Sequence, residues 1–289
     1  MVSGSSATPS THLSTRLITP SAWPISEVLR TAGQWAVFIA QTFWLLPLTF
    51  SKYRRQTLQQ MNGLAWGRGS LIVDGGVVSV LLILGIAVGA SLAVEAFAAL
   101  DIIGFGALSG IIAGVGAVRV IGPLVGGIAF AAQTGCRMTA EIGSMRIADE
   151  IDAIEAMGLR PIPFVVGTRL VGGLVCVIPG YLLTLVTTFL TMDTVIRIFH
   201  HQPGGTYNHY FVEFLTTRDL FYSVIKVTIY CVAVTVIHCY YGYFVTGGPV
   251  GVGRASGRAV RASLVAIMIL DFITTVALWG LQPVFVFKG

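Results

Sequence analysis

Three charged residues stand inside long apolar runs of this chain: Arg119, Lys226 and Asp271. A lone charge at the centre of a bilayer costs about 2.5–3.5 kcal/mol on insertion scales. The economical arrangement packs the three together, with Asp271 between two cations. Such a cluster can act as a structural ion pair, carry a proton, or leave one positive charge for a lipid head group or a partner's acid. A second concentration of charge lies in Met138–Pro163, which holds five of the thirteen acidic residues: Glu141, Asp149, Glu150, Asp152 and Glu155. Ile147, Ile151, Ile154 and Met157 recur there with a period near 3.6, the signature of a helix. Asp149, Asp152 and Glu155 fall on the opposite face, and Gly158 and Pro161 stop the helix. The pattern predicts a short amphipathic helix over about residues 141–158 in a water-facing loop. Its apolar stripe must be buried against its own bundle or against a partner.

Other chemistries find less support. There is no Walker A motif, so this chain is not expected to bind or hydrolyse ATP by itself. Gly247-Gly-Pro-Val-Gly-Val-Gly lacks the phosphate-binding lysine and follows an apolar run, and it reads as part of a flexible, basic, glycine-rich loop. His200, His201 and His209 cluster in one polar segment, but adjacent histidines diverge; no metal site is expected. His238 reads as a hydrogen-bonded core residue. The four cysteines show no metal spacing and read as free packing thiols. No Ser/His or Cys/His pair stands at a spacing useful for nucleophilic catalysis, so the chain is not expected to be an enzyme.

The elements that must position these residues follow from composition. The chain is 55% hydrophobic and 11% charged, whereas soluble domains carry about a quarter charged residues. This predicts an all-α, polytopic membrane protein with one membrane domain. The net charge of +5 sits beside apolar segments and does not indicate nucleic-acid binding. Residues 1–30 form a Ser/Thr/Pro-rich leader expected to be disordered, with no cleavable signal peptide; Trp23–Arg30 reads as the start of a surface helix. Thr31–Phe50 is almost long enough to span, but Pro47 breaks its last turn and basic residues flank both ends. It reads as an interfacial elbow, anchored by Trp35, Trp44, Lys52, Arg54 and Arg55. Five spans are expected at about 72–93, 109–133, 164–190, 221–245 and 263–285. Gly85 and Gly89 in the first have small-xxx-small spacing. Thr191–Leu220 is long enough for a small external helix. The loops at 51–70, 134–163 and 246–262 hold most of the basic residues. They place the N-terminus and the acidic helix in the cytoplasm and the C-terminus outside.

Several ordered motifs carry a family resemblance. Ile121-Gly-Pro-Leu, Thr139-Ala-Glu-Ile-Gly-Ser-Met-Arg and Asp149-Glu-Ile-Asp-Ala-Ile-Glu-Ala-Met-Gly are similar to the signature of MlaE/YrbE permeases, membrane subunits of lipid-moving ABC transporters of the bacterial envelope. Asp271-Phe-Ile-Thr-Thr matches the family's last span. The resemblance covers about residues 30–285 and is nearest to B-type YrbE subunits of mycobacterial Mce lipid importers. It implies a bacterial inner-membrane permease that moves lipids or fatty acids. It also implies three partners: a paralogous A-type YrbE chain, a cytoplasmic ATPase dimer and an external ring of Mce proteins. Residues 141–158 would be the ATPase-coupling helix, with Glu141, Ile147, Asp149, Glu150, Ile151, Asp152, Ile154, Glu155, Met157 and Gly158 at the contact. The family's Arg-Glu-Leu is Arg119-Val120-Ile121 here, so its acid is missing. The alternative is a proton-coupled secondary lipid transporter using Asp271, although no inverted repeat is visible.

Overall fold

The computed structural model describes residues 24–67, 76–202 and 204–280. Most of the expected leader, the start of the first expected span and the end of the last therefore lie outside the described residues. Among the described residues, five helices are long and apolar enough to cross a membrane: Val77–Asp101, Ser109–Ile147, Ile162–Ile198, Thr217–Tyr243 and Gly248–Trp279. They give an all-α, polytopic membrane protein. Three helices precede them: α1 (Pro24–Trp44), α2 (Leu46–Lys52) and α3 (Arg54–Trp66). Helix thus begins inside the expected leader, at Pro24. Leu45 ends the first helix, and Pro47 fits the opening turn of the second, where its missing N–H costs nothing.

The first span, α4 (Val77–Asp101), packs along α9 (Thr168–Ile198), the main part of the third span. Gly85 and Gly89 make this approach possible. A Cβ on Gly85 would lie 2.8 Å from the Thr184 carbonyl oxygen, and one on Gly89 2.6 Å from that of Thr188. The hydroxyls of Thr184 and Thr188 donate across the gap to the carbonyls of Leu81 and Gly85, at 3.2 and 3.1 Å. Small residues let the backbones close, and threonines tie them in a medium that offers no water. Gly85→Leu is therefore expected to destabilise by about 1–3 kcal/mol through overpacking. Gly33→Ala, with nothing near its Cβ, serves as the control in thermal unfolding of the detergent-solubilised protein.

The second span runs unbroken from Ser109 to Ile147, but it is not uniform. It comprises α5 (Ser109–Ile111), α6 (Gly122–Phe130) and α7 (Cys136–Ile147), joined by π-helical turns over Ile112–Ile121 and Ala131–Gly135. Its 39 residues measure about 58 Å, far more than the roughly 30 Å hydrocarbon core. The excess carries α7 out of the bilayer. The helix ends at Ala148, where Asp149 takes a left-handed conformation with φ 55°. A short α8 (Glu150–Ala156) then turns back. The single helix expected over 141–158 is thus two helices with a corner at Asp149, a residue type that tolerates this conformation. Gly158, with φ 75°, leads into the third span.

On the opposite side lies α10 (Gly204–Phe214), the small helix expected between the third and fourth spans. The fourth span is α11 (Thr217–Tyr243) and the fifth α12 (Gly248–Trp279). Here the sequence reading needs correction. The glycine-rich loop is confined to a turn at Gly247, with φ 91°, and helix starts at Gly248. Gly251, Ala255 and Ala259 are buried, and this packing outweighs the low helix propensity of the glycines between them. At 32 residues, α12 is about 48 Å long, longer than the hydrocarbon core is thick, and Arg254, Arg258 and Arg261 mark its first third as the part suited to lie beyond it.

Candidate functional site

The intramembrane charges form two ion pairs, not one triad. Lys226 is fully buried on α11. Its Nζ lies 2.8 Å from Asp271 Oδ1 on α12. It also donates to the Arg119 carbonyl and to Thr275 Oγ1, both at 2.9 Å. An ammonium has three donors, and all three are used. Tyr230 donates its hydroxyl to the same Asp271 oxygen at 2.8 Å. Arg119 turns away from this pair. Its Nη2 lies 2.9 Å from Asp219 Oδ2, and Trp279 Nε1 donates to Asp219 Oδ1 at 2.7 Å. The expected placement of Asp271 between Arg119 and Lys226 is thus overturned by Asp219, which balances the cations two against two.

Sequence reading missed Asp219 because it lies two residues before the expected start of the fourth span. In the structure it occupies the first turn of α11 and is buried. The signal was an acid at the head of an apolar helical run, where a carboxylate suits the helix dipole. Trp279 closes the last turn of α12 over both pairs. Its ring lies 5.7 Å from the Arg119 guanidinium and 5.5 Å from the Lys226 ammonium. Counting residues from Thr217 and from Trp279 puts Lys226 and Asp271 about 12–14 Å inside those ends. The pairs therefore occupy the half of the membrane remote from α8.

At the other end, α7 and α8 form an arm. Glu141 does not face outward. It bridges Arg137 at 2.8 Å and Arg169 at 3.4 Å, and Arg137 also donates to the Gly63 carbonyl at 3.1 Å. This carboxylate ties α3, α7 and α9 together. Ile151 and Ile154 are 1% and 7% exposed and belong to the chain's own core, whereas Ile147 and Met157 are 40% and 68% exposed. The expected stripe is therefore divided: its middle holds α8 on the bundle, and its two ends remain free. Asp149, Glu150, Asp152 and Glu155 are exposed, with Asp152 paired to Arg146 at 2.6 Å. An apolar groove of about 320 Å³ beside the corner is lined by Ser144, Ile147, Ala148, Pro249 and Val252. It joins the arm to the projecting start of α12.

The elbow anchors also divide. Trp35 faces inward, stacked on Tyr240 with ring centroids 3.6 Å apart, while Trp44 is 86% exposed. Lys52, Arg54 and Arg55 are exposed. Phe38 is buried beside Tyr240, Tyr243 and Phe244, so α1 is fastened to the arm end of α11.

The histidines do not converge. His200 stacks on Phe97 at 3.9 Å, and His209 meets the edge of Tyr210. Among the described residues, no group of three or more His, Cys, Asp or Glu could hold a metal ion. His238 is buried, with Nδ1 2.8 Å from Thr139 Oγ1 and Nε2 3.3 Å from Ser263 Oγ. It pins α7, α11 and α12 together as a core residue. All four cysteines are free.

A bundle of five spans, with paired charges inside it and an acidic arm between the second and third, is the frame of a membrane transport subunit. A family model described as Permease MlaE matches residues 69–277, and the chain belongs to that family. It is 28% identical over 162 residues to a Rickettsia prowazekii protein named "Probable ABC transporter permease protein", covering 54% of this chain and 61% of that one. A Synechocystis protein of the same description is 28% identical over 224 residues, with 76% and 80% coverage. The intermembrane phospholipid transport system permease protein MlaE of Haemophilus influenzae is 25% identical over 209 residues, with 71% and 80% coverage. The chain thus spans about 61% of the length of its Rickettsia relatives.

Proposed function

We propose that this chain is the permease subunit of an ATP-driven ABC transporter that moves phospholipids or fatty acids across the bacterial inner membrane. The observation that carries the reading is the arm. An exposed acidic helix with free apolar ends, Ile147 and Met157, is clamped to the bundle by Ile151, Ile154 and the Arg137–Glu141–Arg169 bridge. A cytoplasmic ATPase dimer holding ATP and magnesium docks on its acids, on Met157 and at the groove beside Ile147. Because the arm continues the second span, force applied there reaches Arg119. The basic residues gathered in 51–70, 134–163 and 246–262 support an arm and N-terminus in the cytoplasm and a C-terminus outside.

A second permease chain, a paralogue of the A type, covers α12. The most apolar window of this span is only 17% buried within the chain, against 56% for the third span. An external ring of Mce proteins would then make the direction of transport import. The test is to purify the tagged chain with its co-purifying partners and reconstitute the complex in liposomes containing labelled phospholipid. Lipid movement that needs ATP and magnesium is expected. Movement driven by a pH gradient without ATP would overturn the reading in favour of a secondary transporter using Asp271.

A further inference from the structure

One face of α12 is largely exposed, and it carries charge as well as apolar surface. Val265, Met268, Ile269 and Phe272 are between 53% and 70% exposed. Arg254, Arg258 and Arg261 are exposed and continue the same line toward the arm end. Their spacing of i, i+4 and i+7 keeps the three guanidinium groups on one helical face. None of the ion pairs found among the described residues includes them; Arg258 lies over the Tyr241 ring at 5.8 Å, and Arg261 Nε donates to the Gly257 carbonyl. Beside the ladder, Gly253 and Gly257 have no atom within 4 Å of where a Cβ would sit. Glycines four apart with open space in front of them let another helix come close.

We propose that this arginine ladder selects the chain that packs on α12. It opposes a second copy of this chain and favours a permease chain whose last span carries acidic side chains at the level of Arg254–Arg261. The inference rests on the reading that α12 faces a second permease chain. Two copies related by a twofold axis would bring like faces together. The apolar residues from Val265 to Phe272 would match, but six guanidinium groups would crowd at one end. Like charges set against each other across an interface exclude the wrong partner, and opposite charges admit the right one. The apolar part of the face thus supplies contact, while the ladder supplies choice.

The test uses this chain against itself. Val265→Cys is introduced in two tagged versions, one with the natural arginines and one with Arg254→Glu, Arg258→Glu and Arg261→Glu. They are expressed singly and together in membranes, and disulfide cross-linking at position 265 is read against chains lacking Val265→Cys. The mixed pair is expected to exceed either like pair by about tenfold, in keeping with like-charge exclusion across an interface. An Arg→Gln triple variant is expected to cross-link to itself more than the natural chain does, which guards against misfolding of the Glu variant. Equal cross-linking in all pairings, or none in any, would overturn the inference. The assay uses neither nucleotide nor transported lipid. A failure of ATP-driven transport would therefore leave its result standing, and its own failure would leave the ATP dependence to the reconstitution.

Discussion

Asp271→Asn is expected to destabilise the protein by about 3–5 kcal/mol, because it strands the fully buried Lys226 without its counter-ion. Lys226→Met should cost a similar amount by stranding the carboxylate. Combined, the two changes should cost less than their sum, with a coupling of about 1–3 kcal/mol. Arg119 supplies the control. Its side chain is paired with Asp219 and not with Asp271, so Arg119→Met and Asp271→Asn, linked only through Lys226 on the Arg119 carbonyl and through Trp279, should couple more weakly than either ion pair. Arg119→Met with Asp219→Asn should again be coupled. Unfolding of each variant in bicelles gives the three cycles. A Lys226/Asp271 cycle that is additive, or an Arg119/Asp271 cycle that is strongly coupled, would contradict the two-pair arrangement and restore a triad.

Ile151→Asp is expected to have the other large effect, and on the fold. Ile151 is 1% exposed within the core that includes Met138, Ile142 and Ile154. Truncating such a residue costs about 2–5 kcal/mol, and a carboxylate adds the penalty of burying a charge without a partner. The arm should detach: limited proteolysis should cut near Asp149, and the melting temperature should fall. Met157→Asp, at a 68% exposed position, should leave both unchanged and lower only the amount of ATPase that co-purifies. If Ile151→Asp melts like the natural protein and merely loses the ATPase, the side chain belongs to the interface and the core assignment is wrong.

The spans were legible because an apolar run of membrane length has few other fates. The boundaries were less so. Hydropathy marks the bilayer and not the helix, so the start of α12 reads as a loop and the end of α7 as part of a separate helix. Glycine at Gly251, Gly253 and Gly257 suggested flexibility, although Gly251 is buried and the others lie on an open helical face. The charged residues Arg119, Lys226 and Asp271 were found, but their pairing was not. Pairing depends on which helices are neighbours, and one partner, Asp219, sat outside the expected span. The apolar period through Ile147, Ile151, Ile154 and Met157 was real in sequence. The corner at Asp149 takes Ile147 off that line, and Met157 falls past the end of α8, so only Ile151 and Ile154 reach the core; no periodicity can foretell a single left-handed residue.

The second and fifth spans both run from the arm end to the opposite end, yet they are built as opposites. The second is interrupted by two π-helical stretches on either side of Pro123, a rare geometry that recurs at functional sites. The fifth has no proline beyond Pro249 and no such stretch before Trp279. One is a spring, the other a strut. Both reach the groove between Ser144 and Val252, so a displacement there is divided. The strut would deliver its share to Trp279 directly, while the spring would pass its own to Arg119 with a delay. The Asp219–Trp279 hydrogen bond would then be loaded before the Arg119 carbonyl that holds Lys226.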